Sequence, residues 1–488
     1  MNCKNEQRWT PASLAVVCCF VLLVQLALAS GLEAAVRKAP YLIYSGINTE
    51  MRVLWQLTTL DACTIEWGTE QSYSLGSTDT YEYGTMHQHT YTLTGLTPGT
   101  VYYYRVTAGA EQFAGSFRSA PLANANRLKF FAYGDTRSAP ADHNRVAGRV
   151  TSTYTADQDY QTFMLSVGDL VYHGDTETDW DAQFFSPSYP NIRTMLAHLP
   201  YQACMGNHEQ TGALFTTYFP YPYVAGRYWS FDYGPAHFAV VDQYTPYGTG
   251  TLQLVWLASD LAASSKPWKF VCLHEPGWSA GGGHPNNTSV QTYIEPLCEQ
   301  YGVAILFAGH NHYYARAVVN GVEHVTTGGG GAPLVSPLGG YPNVVDTAKV
   351  FEHCEIEIEG GVLHFRAVTP EDSVVDSFTL TLEGAGGGPG AGGEVSRGLS
   401  LGTASPNPFE TTTTIFYSLP NLSTVDLRVY DIKGQRIATL VDGTLAAGSH
   451  AASWDGRDAS GRVVSAGIYF LRLEAEKSTR TAKVILRK

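Results

Sequence analysis

Charge is scarce in this chain of 488 residues: Asp, Glu, Lys and Arg make up 15% of it, against roughly 25% in an average soluble protein. Positive charge is the scarcer, 31 Lys and Arg facing 44 Asp and Glu for a formal net charge of −13. That balance excludes a nucleic acid or anionic membrane held by bulk electrostatics. An acidic protein that handles phosphates needs metal ions to supply the positive field. Cysteine is sparse too, eight residues with no CxxC spacing, which argues against a zinc–thiolate site. Cys3, Cys18 and Cys19 sit near the start, and Cys63, Cys204, Cys272, Cys298 and Cys354 are too scattered for a disulfide framework, though one or two buried bridges are compatible with them. There is one long apolar run, Leu14 to Leu28, after Lys4 and Arg8 and ending in the small-x-small triplet Ala27-Leu28-Ala29. At about fifteen residues it falls short of a bilayer span, so residues 1–29 read as a cleaved export signal and no transmembrane anchor is expected.

A hydrophobic fraction of 44% with 12% aromatics rules out a disordered chain, and the length suggests about three domains. Residues 36–120 carry short alternating runs such as Met51–Leu57, Cys63–Trp67 and Val101–Val106, punctuated by turn residues such as Gly95 to Gly99, the pattern of a β-sandwich. Residues 128–382 change texture. Apolar runs Lys129–Tyr133, Phe163–Val167, Phe238–Val241, Lys269–Leu273 and Val303–Phe307 alternate with helix-like segments such as Leu252–Ala263. This predicts a layered α/β domain whose ligand sits at the carboxyl ends of the strands. Residues 383–398 read as a Gly-rich linker, and residues 399–488 return to a β pattern.

Five clusters at strand ends or glycine turns share one chemistry: Gly134-Asp135, Gly168-Asp169 with Tyr172, Gly206-Asn207-His208-Glu209, His274, and Gly309-His310-Asn311-His312. Singly each has a plain reading, a turn, a cap or a satisfied polar residue. Together, in order through one domain, they offer oxygen and imidazole donors suited to two hard or borderline cations. Such a pair clamps a phosphoryl group and activates water. His143, His173, His237 and His324 lack motif support and read as surface or core polar residues. His87 and His89 read as one face of a sandwich strand, and Gly328 to Gly331 as a loop of close backbone approach.

These blocks resemble the calcineurin-like metallophosphoesterase superfamily and, within it, the purple acid phosphatases, over residues 36–382. Leu93–Val106 also resembles a fibronectin type III domain. The resemblance implies a four-layer α/β/β/α metallophosphoesterase domain after an N-terminal β-sandwich. It implies that Asp135, Tyr172 and His312 hold a first metal, that Asp169 bridges, and that Asn207, His274 and His310 complete a second. Many superfamily members carry a metal-ligating His where this chain has Arg137. Tyr172, three residues after Asp169, marks the purple-phosphatase arrangement. A phenolate donor implies Fe(III) there, with Zn, Fe or Mn at the other site. His208 would hydrogen-bond the phosphate with Glu209 orienting it. His284 would act on the leaving group, although plant members carry paired His where this chain has Gly283-His284. Arg137 would reach a substrate oxygen, or form a surface ion pair.

Residues 399–488, with Ser405–Phe409, Val429–Gly434, Trp454–Asp458 and Ser465–Phe470, resemble the immunoglobulin-like sorting domain of the type IX secretion route and flagellar hook-assembly modules. The alternative is a plain terminal β-sandwich spacer. The resemblances together imply a secreted or cell-surface bacterial phosphatase, exported through a Gram-negative-type periplasm. It would hydrolyse small phosphate monoesters through metal-bound hydroxide. Its other partner would be the outer-membrane secretion machinery, with no nucleic acid as structural partner. A phosphodiesterase or nucleotidase on the same site, or an adhesin with a vestigial site, are the rival expectations.

Overall fold

The computed structural model describes residues 35–382, 395–397, 399–401, 404, 407–419, 422–445, 448–475 and 478–487. The expected export signal, 1–29, and residues 383–394 lie outside the described residues. Seven strands form the N-terminal domain: β1 (Val36–Ile43), β2 (Met51–Leu57), β3 (Cys63–Gly68), β4 (Gly76–Thr80), β5 (Gln88–Leu93), β6 (Val101–Ala108) and β7 (Glu111–Arg118). They make two sheets, ordered β1-β2-β5 and β4-β3-β6-β7. Period-two alternation drives the packing. In β6, Tyr102, Tyr104, Val106 and Ala108 are buried, and they join Leu42, Val53, Trp55 and Phe117 in a core shared by both sheets. His89 is buried and stacks on Trp55. His87 departs from the strand expected for it: it precedes β5 with φ +54° and pairs with Glu82.

The second domain holds β8 (Arg127–Tyr133), β9 (Met164–Ser166), β10 (Tyr201–Ala203), β11 (Trp229–Tyr233), β12 (Ala236–Val240), β13 (Trp268–Cys272), β14 (Val303–Ala308), β15 (Tyr314–Val319), β16 (Val322–Thr327), β17 (Val344–Ala348), β18 (His353–Glu359), β19 (Val362–Val368), β20 (Val374–Leu382) and β21 (Val395–Arg397). Two seven-stranded sheets result, ordered β10-β9-β8-β18-β19-β20-β21 and β11-β12-β13-β14-β16-β15-β17. Phe130 of the first meets Phe238, Phe270 and Phe307 of the second, with ring centroids 5.2, 5.4 and 6.3 Å apart. Helix Leu252–Ala263, capped by the Thr251 hydroxyl, buries Leu257 and Leu261 with Ala239, Val271 and Leu306 on the far side of the second sheet. All five expected apolar runs are strands, and β8, β9 and β10 are parallel, as are β12, β13, β14 and β16. The loops after them therefore leave on one side of each sheet.

One boundary differs from the sequence reading. Val395–Arg397, placed in the linker, pairs antiparallel with Leu380–Leu382 and extends the first sheet. Beyond it, strands Thr413–Leu419, Ser423–Asp431 and Gly467–Ala475 contribute to two further sheets around Ile415, Leu427, Trp454 and Leu471. Among the described residues no helix is long and apolar enough to cross a membrane, and all five described cysteines are free and buried.

The first two domains are joined by an ionic clasp as well as by a common apolar core that includes Tyr41, Tyr44 and Phe185. Lys38, wholly buried, places Nζ 2.7 Å from both Glu177 and Asp181, and Arg37 reaches the same two carboxylates. The clasped segment also holds the site: Gln183 Oε1 accepts the amides of Ser138 and Tyr172 at 2.8 and 3.0 Å.

Candidate metal centre

Asp135 follows β8, Asp169 follows β9 and His310 follows β14, all three in the left-handed region at φ +56°, +56° and +68°. For non-glycine residues this conformation costs of order 1–3 kcal/mol and persists only where the surroundings enforce it. They do so here through crossed backbone bonds. The Asp135 amide donates to Gly168 O at 2.9 Å and the Thr136 amide to Asp169 O at 3.0 Å. The His310 amide donates to both Asp135 carboxylate oxygens at 3.1 and 2.9 Å. The glycine run packs against this crossing. A Cβ on Gly330 would lie 2.2 Å from Gly134 O, and one on Gly328 3.0 Å from Asp135 Oδ2.

Donor atoms converge on His274. Its Nδ1 donates to Val167 O at 2.7 Å, which turns Nε2 inward. Around Nε2 lie Asn207 Oδ1 at 3.0 Å, His310 Nδ1 at 3.2 Å and Asp169 Oδ1 at 3.3 Å. Four electron-rich atoms in this space require a proton or a cation between them. Burial lowers the His274 pKa, yet the carboxylates of Asp169 and Asp135 outweigh it and push it up to about 10. Burial, with His274 and His284 beside it, takes His310 down to about 2. Ligand atoms of Asp135, Asp169 and His274, all buried, lie within 4.8 Å of one another. Carboxylate, amide and imidazole donors at this spacing fit a hard or borderline cation.

On the other side of Asp169, His312 Nδ1 donates to Pro333 O at 2.9 Å, leaving Nε2 3.7 Å from Asp135 Oδ1. Arg137 reaches Asp169 Oδ2 and His312 Nε2, each at 3.2 Å. Six of the seven expected ligands are thus gathered. Tyr172 lies beside them, 44% exposed, its ring packed on His173 and His208 with the Arg137 guanidinium 5.6 Å from its centroid.

His208 donates Nδ1 to Tyr172 O at 2.6 Å and has Nε2 3.9 Å from Asp169 Oδ2. The reading of Glu209 as its orienting partner is corrected. The buried Glu209 carboxylate turns away and accepts the amides of Asp169, Leu170 and Gly206 at 2.9, 2.7 and 2.7 Å, stapling the loops after β9 and β10. His284 is exposed and stacks on His310 with centroids 3.8 Å apart. Its amide is held by Asn311 Oδ1 at 2.7 Å. Gln243 escaped the sequence reading, though its Oε1 accepts the His274 amide at 2.8 Å. It follows β12 in an Asp242-Gln243 pair, the same strand-end pattern that marked the other clusters. Of the unsupported histidines, His143 is buried against the Tyr133 hydroxyl, His173 pairs with Asp179, His237 with Asp232 and Asp260, and His324 with Glu295.

Residues 128–314 match the calcineurin-like phosphoesterase family, and residues 38–120 the purple acid phosphatase N-terminal domain. The two matched segments follow one another along the chain. Residues 409–479 match the FlgD Ig-like domain. Purple acid phosphatase 23 of Arabidopsis thaliana is 27% identical over 50% of this chain and 62% of its own length. Acid phosphatase type 7 of Danio rerio is 25% identical over 61% of this chain and 75% of its own. The chain spans less than two thirds of the length of the first curated relatives it matches, 62% and 40%. In fold, it superimposes on the yellow lupin purple acid phosphatase PPD1 with a TM-score of 0.59, 18% identity, and coverage of 70% of this chain and 74% of that one.

Proposed function

We propose that the chain is a phosphoester hydrolase of the acid phosphatase type, acting on small phosphate monoesters at a two-cation site. The observation that carries this is the convergence of Asn207, His310 and Asp169 on His274 Nε2, 3.0 to 3.3 Å away. The matches to the calcineurin-like phosphoesterase family and to the purple acid phosphatase N-terminal domain support the same reading. Asp135, Tyr172 and His312 would hold one cation, Asn207, His274 and His310 the other, with Asp169 between them. Fe(III) suits the Tyr172 side, and zinc, iron or manganese the other. When bound, the pair supplies Lewis-acid stabilisation of phosphoryl charge and activation of water.

The chain's own residues do the rest. Val167 O and Pro333 O fix the ring orientations of His274 and His312, so that Nε2 of each faces the centre. Tyr172 O does the same for His208, whose Nε2 lies 3.9 Å from Asp169 Oδ2 and would hydrogen-bond the phosphoryl group. His284, exposed at the rim and stacked on His310, would give a proton to the departing oxygen. Export and outer-membrane secretion through the C-terminal immunoglobulin-like domain complete the proposal, which puts the activity outside the cell.

The test is hydrolysis of 4-nitrophenyl phosphate and bis(4-nitrophenyl) phosphate by metal-loaded protein. Preference for the monoester is expected. Preference for the diester would move the function to phosphodiester turnover, and hydrolysis of neither with metal bound would overturn the enzyme reading. Tyr172→Phe is expected to abolish the visible charge-transfer band of the iron-loaded protein, and an unchanged spectrum would remove Tyr172 from the ligand set.

A further inference from the structure

Arg137 stands where the resemblance expects a metal-ligating His, and its side chain is 12% exposed at the centre. Each nitrogen of its guanidinium has a partner: Nε has Asp169 Oδ2, Nη2 has His312 Nε2 and Nη1 has Ser138 Oγ, all at 3.2 Å. The Nε and Nη2 hydrogens leave the guanidinium in parallel, the edge that grips two oxygens of a carboxylate or phosphate. That edge is turned on the two atoms, Asp169 Oδ2 and His312 Nε2, that the proposed cations would take. The stem is held in place: the Ser138 amide is anchored on Gln183, and the Tyr172 ring lies under the guanidinium.

We propose that Arg137 is the phosphoryl clamp by which this site selects a monoester dianion over a diester monoanion. This rests on the phosphoester reading above. With cations held by Asp169 and His312, the parallel N–H pair would be released from these two atoms and free to meet a substrate oxygen. A phosphate monoester has three non-bridging oxygens. If the two cations took two of them, the third would remain for Arg137. A diester has only two, so it would leave no oxygen for the guanidinium to bind. Charge acts in the same direction, because a monoester bears close to two negative charges at neutral pH and a diester one.

The experiment uses full-length Arg137→Gln and Arg137→Lys with metal content measured before assay. Binding of inorganic phosphate and of dimethyl phosphate is followed by calorimetry, and kcat/KM is measured on the aryl monoester and diester. Arg137→Gln is expected to retain its metals and to lose about 100-fold in phosphate affinity and monoester kcat/KM. Its dimethyl phosphate affinity and diester turnover should change little, and Arg137→Lys should recover part of the loss. Equal losses on both esters and both anions would overturn the clamp. So would loss of metal from Arg137→Gln, which would make Arg137 a holder of Asp169 and His312. If the wild type hydrolyses neither ester, the functional reading fails, while the two anion affinities still decide the clamp.

Discussion

Replacing Glu209 by Gln tests how the centre is held together. Its carboxylate accepts three buried amides from two loops: Oε2 takes those of Asp169 and Gly206, Oε1 that of Leu170. A glutamine keeps one oxygen. If that oxygen stands in the Oε2 position, the new NH2 group faces the Leu170 amide, donor against donor, and the two remaining bonds lose their charge. A hydrogen bond to a charged group contributes about 1.5–3 kcal/mol, and an unsatisfied buried amide costs about 1–3 kcal/mol. Glu209→Gln should therefore destabilise the second domain by roughly 2–4 kcal/mol. Because Asp169 and Asn207 lie in the stapled loops, metal affinity should also fall about 10–100-fold, as for other residues that orient ligands. Urea denaturation of the stripped protein gives the first quantity and competition with a chelator the second. His208→Ala is the control, expected to weaken phosphate binding while keeping the metals. If Glu209→Gln kept both stability and metal affinity and lost only phosphate binding, the staple would be refuted.

Lys38→Met leaves Glu177 and Asp181 facing Arg37 alone; it should lower stability by roughly 2–3 kcal/mol, read by denaturation, and speed proteolysis between the first two domains. His237 lies between Asp232 and Asp260, which overcome its burial and raise its pKa to about 9. A raised folded-state value makes its contribution complete below pH about 6.5 and lost as pH climbs through about 9. Allowing for the exposure of Asp232, that contribution is about 2 kcal/mol, and His237→Asn should flatten the stability–pH profile over this window. Gly330→Ala drives a methyl group into Gly134 O and should displace the loop carrying Asp135, lowering both Tm and metal content; an unaltered protein would show that the glycine run is not tightly packed.

The centre was legible where chemistry is written into residue order. An apolar strand followed by Asp, Asn or His announces a donor at a sheet edge, and Asp135, Asp169, Asn207, His274, His310 and His312 all come from that pattern. Gln243 fits it too but is an unusual ligand, and its work is done on a backbone amide. For Glu209, adjacency to His208 in the sequence suggests contact between the two side chains. The short turn Asn207–Glu209 instead sends its side chain back to the Gly206 amide at the start of that turn. The clasp of Lys38 was beyond reach, since its partners lie 139 and 143 residues away. Val395–Arg397 was hidden by the glycines around it, whose composition says linker while the open edge of β20 offers a place to pair.

The central claim, a two-cation phosphomonoesterase, is tested most directly by restoring metal to stripped full-length protein and following 4-nitrophenyl phosphate hydrolysis against bound metal. Activity should be absent without metal, rise with loading and level off at about two ions per chain, with Asp169→Asn inactive throughout. Two bound ions with no hydrolysis, or hydrolysis indifferent to metal, would contradict it.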